Sequence, residues 1–147
     1  MLQKIKNNGF TLIEILVAVV LLGIAIAAIV GSNAAFSLQT SQAGELSTAE
    51  FLIEQIRELT ALMPVNDPNQ VSIYGFDGDT FNPPIDGQRR PLANFSAYSQ
   101  VVTVDYVNAT NFQQIVADNS SDFVRITVKI LYNGSEISQA KWIRCIE

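Results

Sequence analysis

A single apolar run constrains this chain more than any other feature. From Phe10 to Val30 the sequence reads FTLIEILVAVVLLGIAIAAIV, 21 residues with one charged side chain, Glu14. At a rise of about 1.5 Å per residue, a helix of that length spans roughly 30 Å, the thickness of a bilayer's hydrocarbon core. The run therefore predicts a membrane-spanning helix near the start of the chain.

Composition argues against several classes of function. The 147-residue chain has a net charge of −5, so a general basic surface is lacking and no nucleic-acid partner is expected. It contains no histidine, which excludes Ser-His and Cys-His catalysis and histidine metal ligands. Its one cysteine, Cys145, cannot form an intramolecular disulfide. We expect no catalytic site, no cofactor and no metal site.

The residues before the apolar run leave two interpretations open. The segment MLQKIKNNG is polar and carries Lys4 and Lys6, which predicts a cytoplasmic N-terminus with the rest of the chain exported. On hydropathy alone the run is either a cleaved secretory signal peptide or a plain single-span anchor. It is longer than the roughly 7–15 apolar residues of an ordinary signal peptide. Neither interpretation explains Glu14.

The order of residues around Glu14 is more specific than their hydropathy. A short basic leader, then Gly9, Phe10 and Thr11-Leu12-Ile13-Glu14, closely resembles the N-terminal signal of type IV prepilins and type II secretion pseudopilins. The resemblance implies that a prepilin peptidase cleaves between Gly9 and Phe10 and methylates the Phe10 amine. It also assigns Glu14 an assembly role, as the partner of the Phe10 amine on a neighbouring subunit.

A charged side chain such as Glu14 is energetically unfavourable inside a membrane-spanning helix. A carboxylate at the centre of a membrane helix costs about 2.5–3.5 kcal/mol, and less near an interface. The positive end of the helix dipole offsets a few tenths to ~1 kcal/mol of that cost in the first turn. An interfacial glutamate that only reaches water is the alternative. We expect instead that Glu14 sets the register of subunits during assembly.

Beyond the membrane segment the helical pattern continues. Gly31 weakens the helix by about 1 kcal/mol relative to alanine without forcing a kink. Apolar residues then recur at helical spacing up to Pro64, which ends the pattern. This stripe predicts the face that covers the domain core: Leu46, Ala49, Leu52, Ile53, Ile56, Leu59 and Met63.

Residues 64–98 predict a long connecting region because they are rich in proline, glycine, asparagine and aspartate. One or two short strands are expected there, one of them around Val71–Tyr74. Asp77, Asp79 and Asp86 offer carboxylates, but their spacing does not match a calcium loop. Asp-Gly turns are the better interpretation.

The C-terminal part reads as strands. Apolar residues alternate in Gln100–Val107 and in Phe123–Tyr132, and Asn133-Gly134 predicts a type I′ hairpin into a last strand over Glu136–Ile146. We therefore predict an α+β fold in which a long N-terminal helix, membrane-spanning in its first half, packs on a small antiparallel sheet. This is the ladle-shaped plan of the pilin family.

Together these features predict four segments: a leader (1–9), a transmembrane and assembly helix (10–31), its amphipathic continuation (32–63), and a loop region with the sheet (64–147). The expected function is that of a minor pilin or pseudopilin, similar to PilV-type minor pilins or the I-type pseudopilin. Its partners would be the prepilin peptidase, other pilin or pseudopilin subunits and inner-membrane lipid. The alternative is an anchored periplasmic binding protein, for example in DNA uptake.

Overall fold

The computed structural model of the chain describes residues 11–67 and 69–146. One helix, α1, covers Leu12–Ala61, and contacts divide the chain into one unit up to Gln42 and another from Ala43. Two 3₁₀ helices, Ile73–Phe76 and Ala93–Phe95, lie between α1 and the main strands. The strands are β1 (Thr80–Phe81), β2 (Tyr98–Asn108), β3 (Asn111–Ile115), β4 (Phe123–Tyr132) and β5 (Ser135–Cys145).

The strands form one antiparallel sheet in the order β1-β2-β4-β5, with β3 also paired to β2. β2 and β4 keep a single register from Tyr98 opposite Tyr132 to Tyr106 opposite Val124. Asn133 and Gly134 join β4 to β5 with φ values of 48° and 83°, as the predicted type I′ turn requires.

The core of the second unit lies between the sheet and the second half of α1. Alternate residues of β2 and β4 point toward the helix, and Val102, Val124, Ile126, Val128 and Ile130 are fully buried. From α1 the core takes Ala49, Leu52, Ile53, Ile56 and Leu59. The predicted fold class, a long helix packed on a small antiparallel sheet, is thus confirmed.

Three details of the helical stripe differ from the prediction, the first being that Met63 lies beyond the end of α1. Leu46 is 49% exposed, because the packed face begins only at Ala49. Thr60 is buried instead, and its hydroxyl donates to the carbonyl of Ile56. The helix ends at Ala61, where the guanidinium of Arg144 donates to the carbonyls of Thr60 and Ala61 at 2.5 and 2.9 Å. A cation at that end also suits the helix dipole.

A fully buried glutamine ties three parts of the second unit together. The Gln100 side chain accepts a hydrogen bond from the Ile85 backbone N–H at 2.8 Å. Its amide donates to the carbonyls of Leu52 and Ile85 at 2.9 and 3.1 Å. Since each of these groups lies inside the protein, this side chain fixes the loop and α1 against β2.

The prediction of a strand around Val71–Tyr74 is wrong. Ile73–Phe76 is a 3₁₀ helix. Two hydrogen bonds tie its start to the preceding loop: the Ile73 N–H donates to the Pro64 carbonyl and the Tyr74 N–H to the Val65 carbonyl, both at 2.9 Å. A repeat of three residues buries both Ile73 and Phe76, which a strand would place on opposite faces. The short strand of this region is β1.

Candidate assembly helix

The start of α1 is capped by the residue before it. The Thr11 carbonyl accepts the N–H groups of Glu14 and Ile15 at 3.1 and 3.3 Å, and the Thr11 hydroxyl lies 3.3 Å from the Glu14 N–H. A hydroxyl in this position satisfies one of the four N–H groups that a helix leaves unpaired. Thr11 was not singled out as a functional residue, although Thr-x-x-Glu is a known capping pattern. Thr11 therefore fixes where the helix begins.

Glu14 lies one turn into α1, on an exposed surface, with Leu12, Ile13 and Ile15 beside it. In the described part of the chain it forms no salt bridge, and the first cation that follows it is Arg57. The described residues of the first unit therefore supply no counter-charge for Glu14.

The first unit exposes a continuous apolar surface. An 18-residue window of α1 reaches a mean hydropathy of 3.0, and none of it is buried within the chain. A surface of this kind requires lipid or other proteins to cover it. Its large apolar side chains are between 49% and 83% exposed: Leu12, Ile13, Ile15, Leu16, Val17, Val19, Val20, Leu21, Leu22, Ile24, Ile26, Ile29 and Val30.

The described first unit has two glycines in α1 at which another helix could approach closely. A Cβ added at Gly23 or Gly31 would meet no atom within 4 Å. Neither glycine is therefore needed for packing inside the described chain. Small residues on an exposed apolar helix are typical of surfaces where helices approach in membranes.

Two of the three loop carboxylates named as candidates, Asp77 and Asp86, have partners in their own chain, and Asp79 is exposed. Asp77 accepts the Val104 N–H at 2.8 Å, which satisfies a donor at the edge of β2. Asp86 accepts the N–H groups of Gln88 and Arg90 and pairs with the Arg90 guanidinium at 2.7 Å. Among the described residues, no cluster of acidic, histidine or cysteine side chains has the arrangement of a metal site.

The remaining predicted site residues, Gly9 and Phe10, lie outside the described residues. The structure therefore places Glu14 in the first turn of α1 and leaves the predicted cleavage and methylation positions as predictions. The Thr11 cap and Glu14 are adjacent in space because they belong to the same turn.

Comparison with known proteins places the N-terminal features in one motif. Residues 4–30 match the family model of the prokaryotic N-terminal methylation motif, the signal of type IV pilins and pseudopilins. No curated protein and no solved structure matches the chain. The match includes Lys4, Lys6, Glu14 and the whole apolar run. The chain therefore carries the type IV pilin signal, which indicates a structural precursor that is processed by a prepilin peptidase and assembled with other pilins.

Proposed function

We propose that this protein is a minor pilin or pseudopilin, a structural subunit of a type IV pilus or a type II secretion pseudopilus. The observation that carries the proposal is the methylation motif on a helix whose apolar first half is uncovered by its own chain. The second unit has its own packed core, so the protein can fold as a domain while its helix is held by lipid or by subunits.

The proposal includes the order of events at the membrane. Prepilin peptidase cleaves between Gly9 and Phe10 and methylates the new amine of Phe10. Residues 10–31 hold the subunit in the inner membrane, with residues 64–147 on the periplasmic side. Lys4 and Lys6 on the leader support this orientation, because positive charge remains on the cytoplasmic side.

In this proposal Glu14 pairs with the Phe10 amine of the neighbouring subunit. A carboxylate among apolar side chains is costly unless a positive group meets it. The described residues of the first unit include no lysine or arginine, which supports a partner from another chain. The separation between the two groups would set the stagger of successive subunits.

The first experiment is N-terminal sequencing and intact mass of the protein from cells with and without a prepilin peptidase. We expect N-methylated Phe10 in the first and the full leader in the second. A leader retained in both would indicate the alternative, an anchored periplasmic binding protein. Cleavage within or after the apolar run would indicate a secreted domain, and either result would overturn the proposal.

The second experiment separates processing from assembly. Glu14→Gln keeps the shape of the side chain and removes its charge, so insertion and cleavage should continue. Incorporation into filaments should fall to background, because the Phe10 amine then lacks its partner. Glu45→Gln on the same helix is the matched control and should assemble normally. Normal incorporation of Glu14→Gln would disprove the role of Glu14.

A further inference from the structure

The exposed side of α1 in the second unit carries a row of negative charge. Glu50, Glu54 and Glu58, which we call the acidic row, recur every four residues and are all exposed. They lie away from the buried face of the helix, which runs from Ala49 to Thr60. Like charges at this spacing repel one another in an isolated helix. Among the described residues, one ion pair involves the row, and it joins Arg57 to Glu54 at 2.6 Å. The row has an aromatic neighbour, since Phe51 is 45% exposed.

The opposite layer of the second unit has a groove of different character. On the face of the sheet that points away from α1, Phe112 and Gln113 of β3 lie near Arg125, Lys141 and Ile143 of β4 and β5. We call this the outer groove. Phe112 stacks on Phe123 with ring centroids 5.4 Å apart, yet it remains 40% exposed. The groove therefore offers an aromatic surface beside two cationic side chains.

The two cations of the outer groove are not equivalent. Arg125 pairs with Asp105 at 2.8 Å and donates to the Phe112 carbonyl, so its charge is already balanced. Lys141 is exposed and forms no ion pair with any described residue. The free positive charge of the groove is therefore on Lys141.

The other described cations all have partners. Arg57, Arg90 and Lys129 form ion pairs with Glu54, Asp86 and Glu136. Arg144 donates to the end of α1, and the Arg89 guanidinium lies 5.3 Å from the centre of the Phe76 ring. Within the described part of the chain, Lys141 alone is left without one.

We propose that the outer groove of one copy of this chain docks on the acidic row of the next copy. Lys141 would lie against Glu58, the carboxylate of the acidic row that has no ion pair or hydrogen bond among the described residues, and Phe112 would pack beside Phe51. This contact rests on the proposed function, because it joins subunits of one filament. Charge complementarity is the argument for it: a net acidic chain presents a strip of carboxylates on one layer and its free cation on the other.

The geometry of the contact also suits a filament. The acidic row and the outer groove are two different surfaces on opposite layers of the same unit. A contact between different surfaces is heterologous, so it can repeat from copy to copy instead of closing into a dimer. A contact of the acidic row with itself would instead bring like charges together.

Cysteine cross-linking with two tagged copies tests the contact directly. In a Cys145→Ser background, one copy carries Lys141→Cys and the other Glu58→Cys, and both are expressed in the same cells. We expect a disulfide-linked dimer containing both tags in assembled filaments. The matched control replaces Lys141→Cys by Lys129→Cys, on the same face of the neighbouring strand. Equal cross-linking of both pairs, or of neither, would overturn the contact.

A charge exchange provides a second test. Lys141→Glu should lower incorporation about fivefold, the factor that corresponds to ~1 kcal/mol for one exposed ion pair. Adding Glu58→Lys should restore it, whereas Lys129→Gln should change it less. A double variant no better than Lys141→Glu would overturn the contact. Filaments that form without the cross-link count against this contact alone, whereas absence of wild-type filaments counts against the proposed function as well.

Discussion

The two halves of α1 belong to one helix but are stabilised by different surroundings. Up to Gln42 every described residue is exposed, whereas from Ala49 onward the helix buries one face on the sheet. The first half carries apolar residues on all sides, and the second half has an apolar stripe with charged residues opposite. A helix that is apolar all round is stable only where something else covers it.

This difference means that folding and assembly can be changed separately. Substitutions in the second half should alter the stability of the domain. Those in the first half should alter only anchoring and contacts with other subunits. The predictions below use matched substitutions in the two regions to test that separation.

The largest expected effect is that of Leu52→Ala. Leu52 is fully buried against the sheet, so truncation removes its packing and leaves a cavity. We expect the free energy of unfolding of the second unit to fall by about 2–5 kcal/mol, measured by denaturant titration in detergent micelles. Leu21→Ala is the control, because Leu21 is 61% exposed, and the unfolding of the second unit should not change. Equal effects at the two positions would contradict the separation.

A smaller loss is expected for Gln100→Leu. The substitution leaves the Ile85 N–H and the carbonyls of Ile85 and Leu52 without their buried partner. The free energy of unfolding of the second unit should fall by about 1–3 kcal/mol, the usual cost of unsatisfied buried groups. Gln113→Leu on the exposed strand β3 is the control and should stay within about 0.5 kcal/mol of wild type. An unchanged Gln100→Leu variant would show that the glutamine does not hold the loop to α1.

The same contrast between local and distant contacts explains which elements were predicted from the sequence. The apolar run, β2, β4 and the Asn133-Gly134 turn follow local patterns, and the structure has them where those patterns lie. β3 has no such pattern, since all five residues of Asn111–Ile115 are exposed. That strand exists because its backbone pairs with β2, which the local sequence does not reveal.

The candidate site divides in a similar way. Glu14 was identified from its neighbours in the sequence, and Thr11 could have been identified from the capping pattern. The importance of Lys141 could not have been predicted from the sequence, because it depends on which partner each of the other cations contacts in the folded chain. Gln100 belongs to the same class, since its hydrogen-bond partner Leu52 lies 48 residues away.

Glycine substitutions should act with opposite sign in the two regions. Gly134 has a φ of 83°, so Gly134→Ala should destabilise the second unit by about 1–2 kcal/mol. Gly31 lies in the exposed helix with open space around its Cα, so Gly31→Ala should stabilise that turn by about 1 kcal/mol. Denaturant titration measures the first effect, and amide hydrogen exchange around residue 31 measures the second. The same sign at both positions would contradict this interpretation.

The smallest predicted effect is a dependence of folding stability on acidic pH, and it is confined to the second unit. The Arg90 backbone N–H, with help from its guanidinium and the Gln88 N–H, holds the pKa of Asp86 below its ordinary value of 3.8. The unfolded chain then binds a proton at higher pH than the folded one. The stabilisation from Asp86 is thus complete above pH 3.8 and is lost as the pH falls through the folded pKa.

Asp86→Asn should therefore lose less stability than wild type when the pH is lowered below 3.8, as measured by thermal unfolding of the second unit. Asp79→Asn, at an exposed aspartate of the same loop, is the control and should follow the wild-type curve. An acid dependence unchanged by Asp86→Asn would show that this hydrogen-bonded carboxylate does not stabilise the loop. Because Asp86 lies beyond α1, hydrogen exchange in residues 12–42 should not change with either variant.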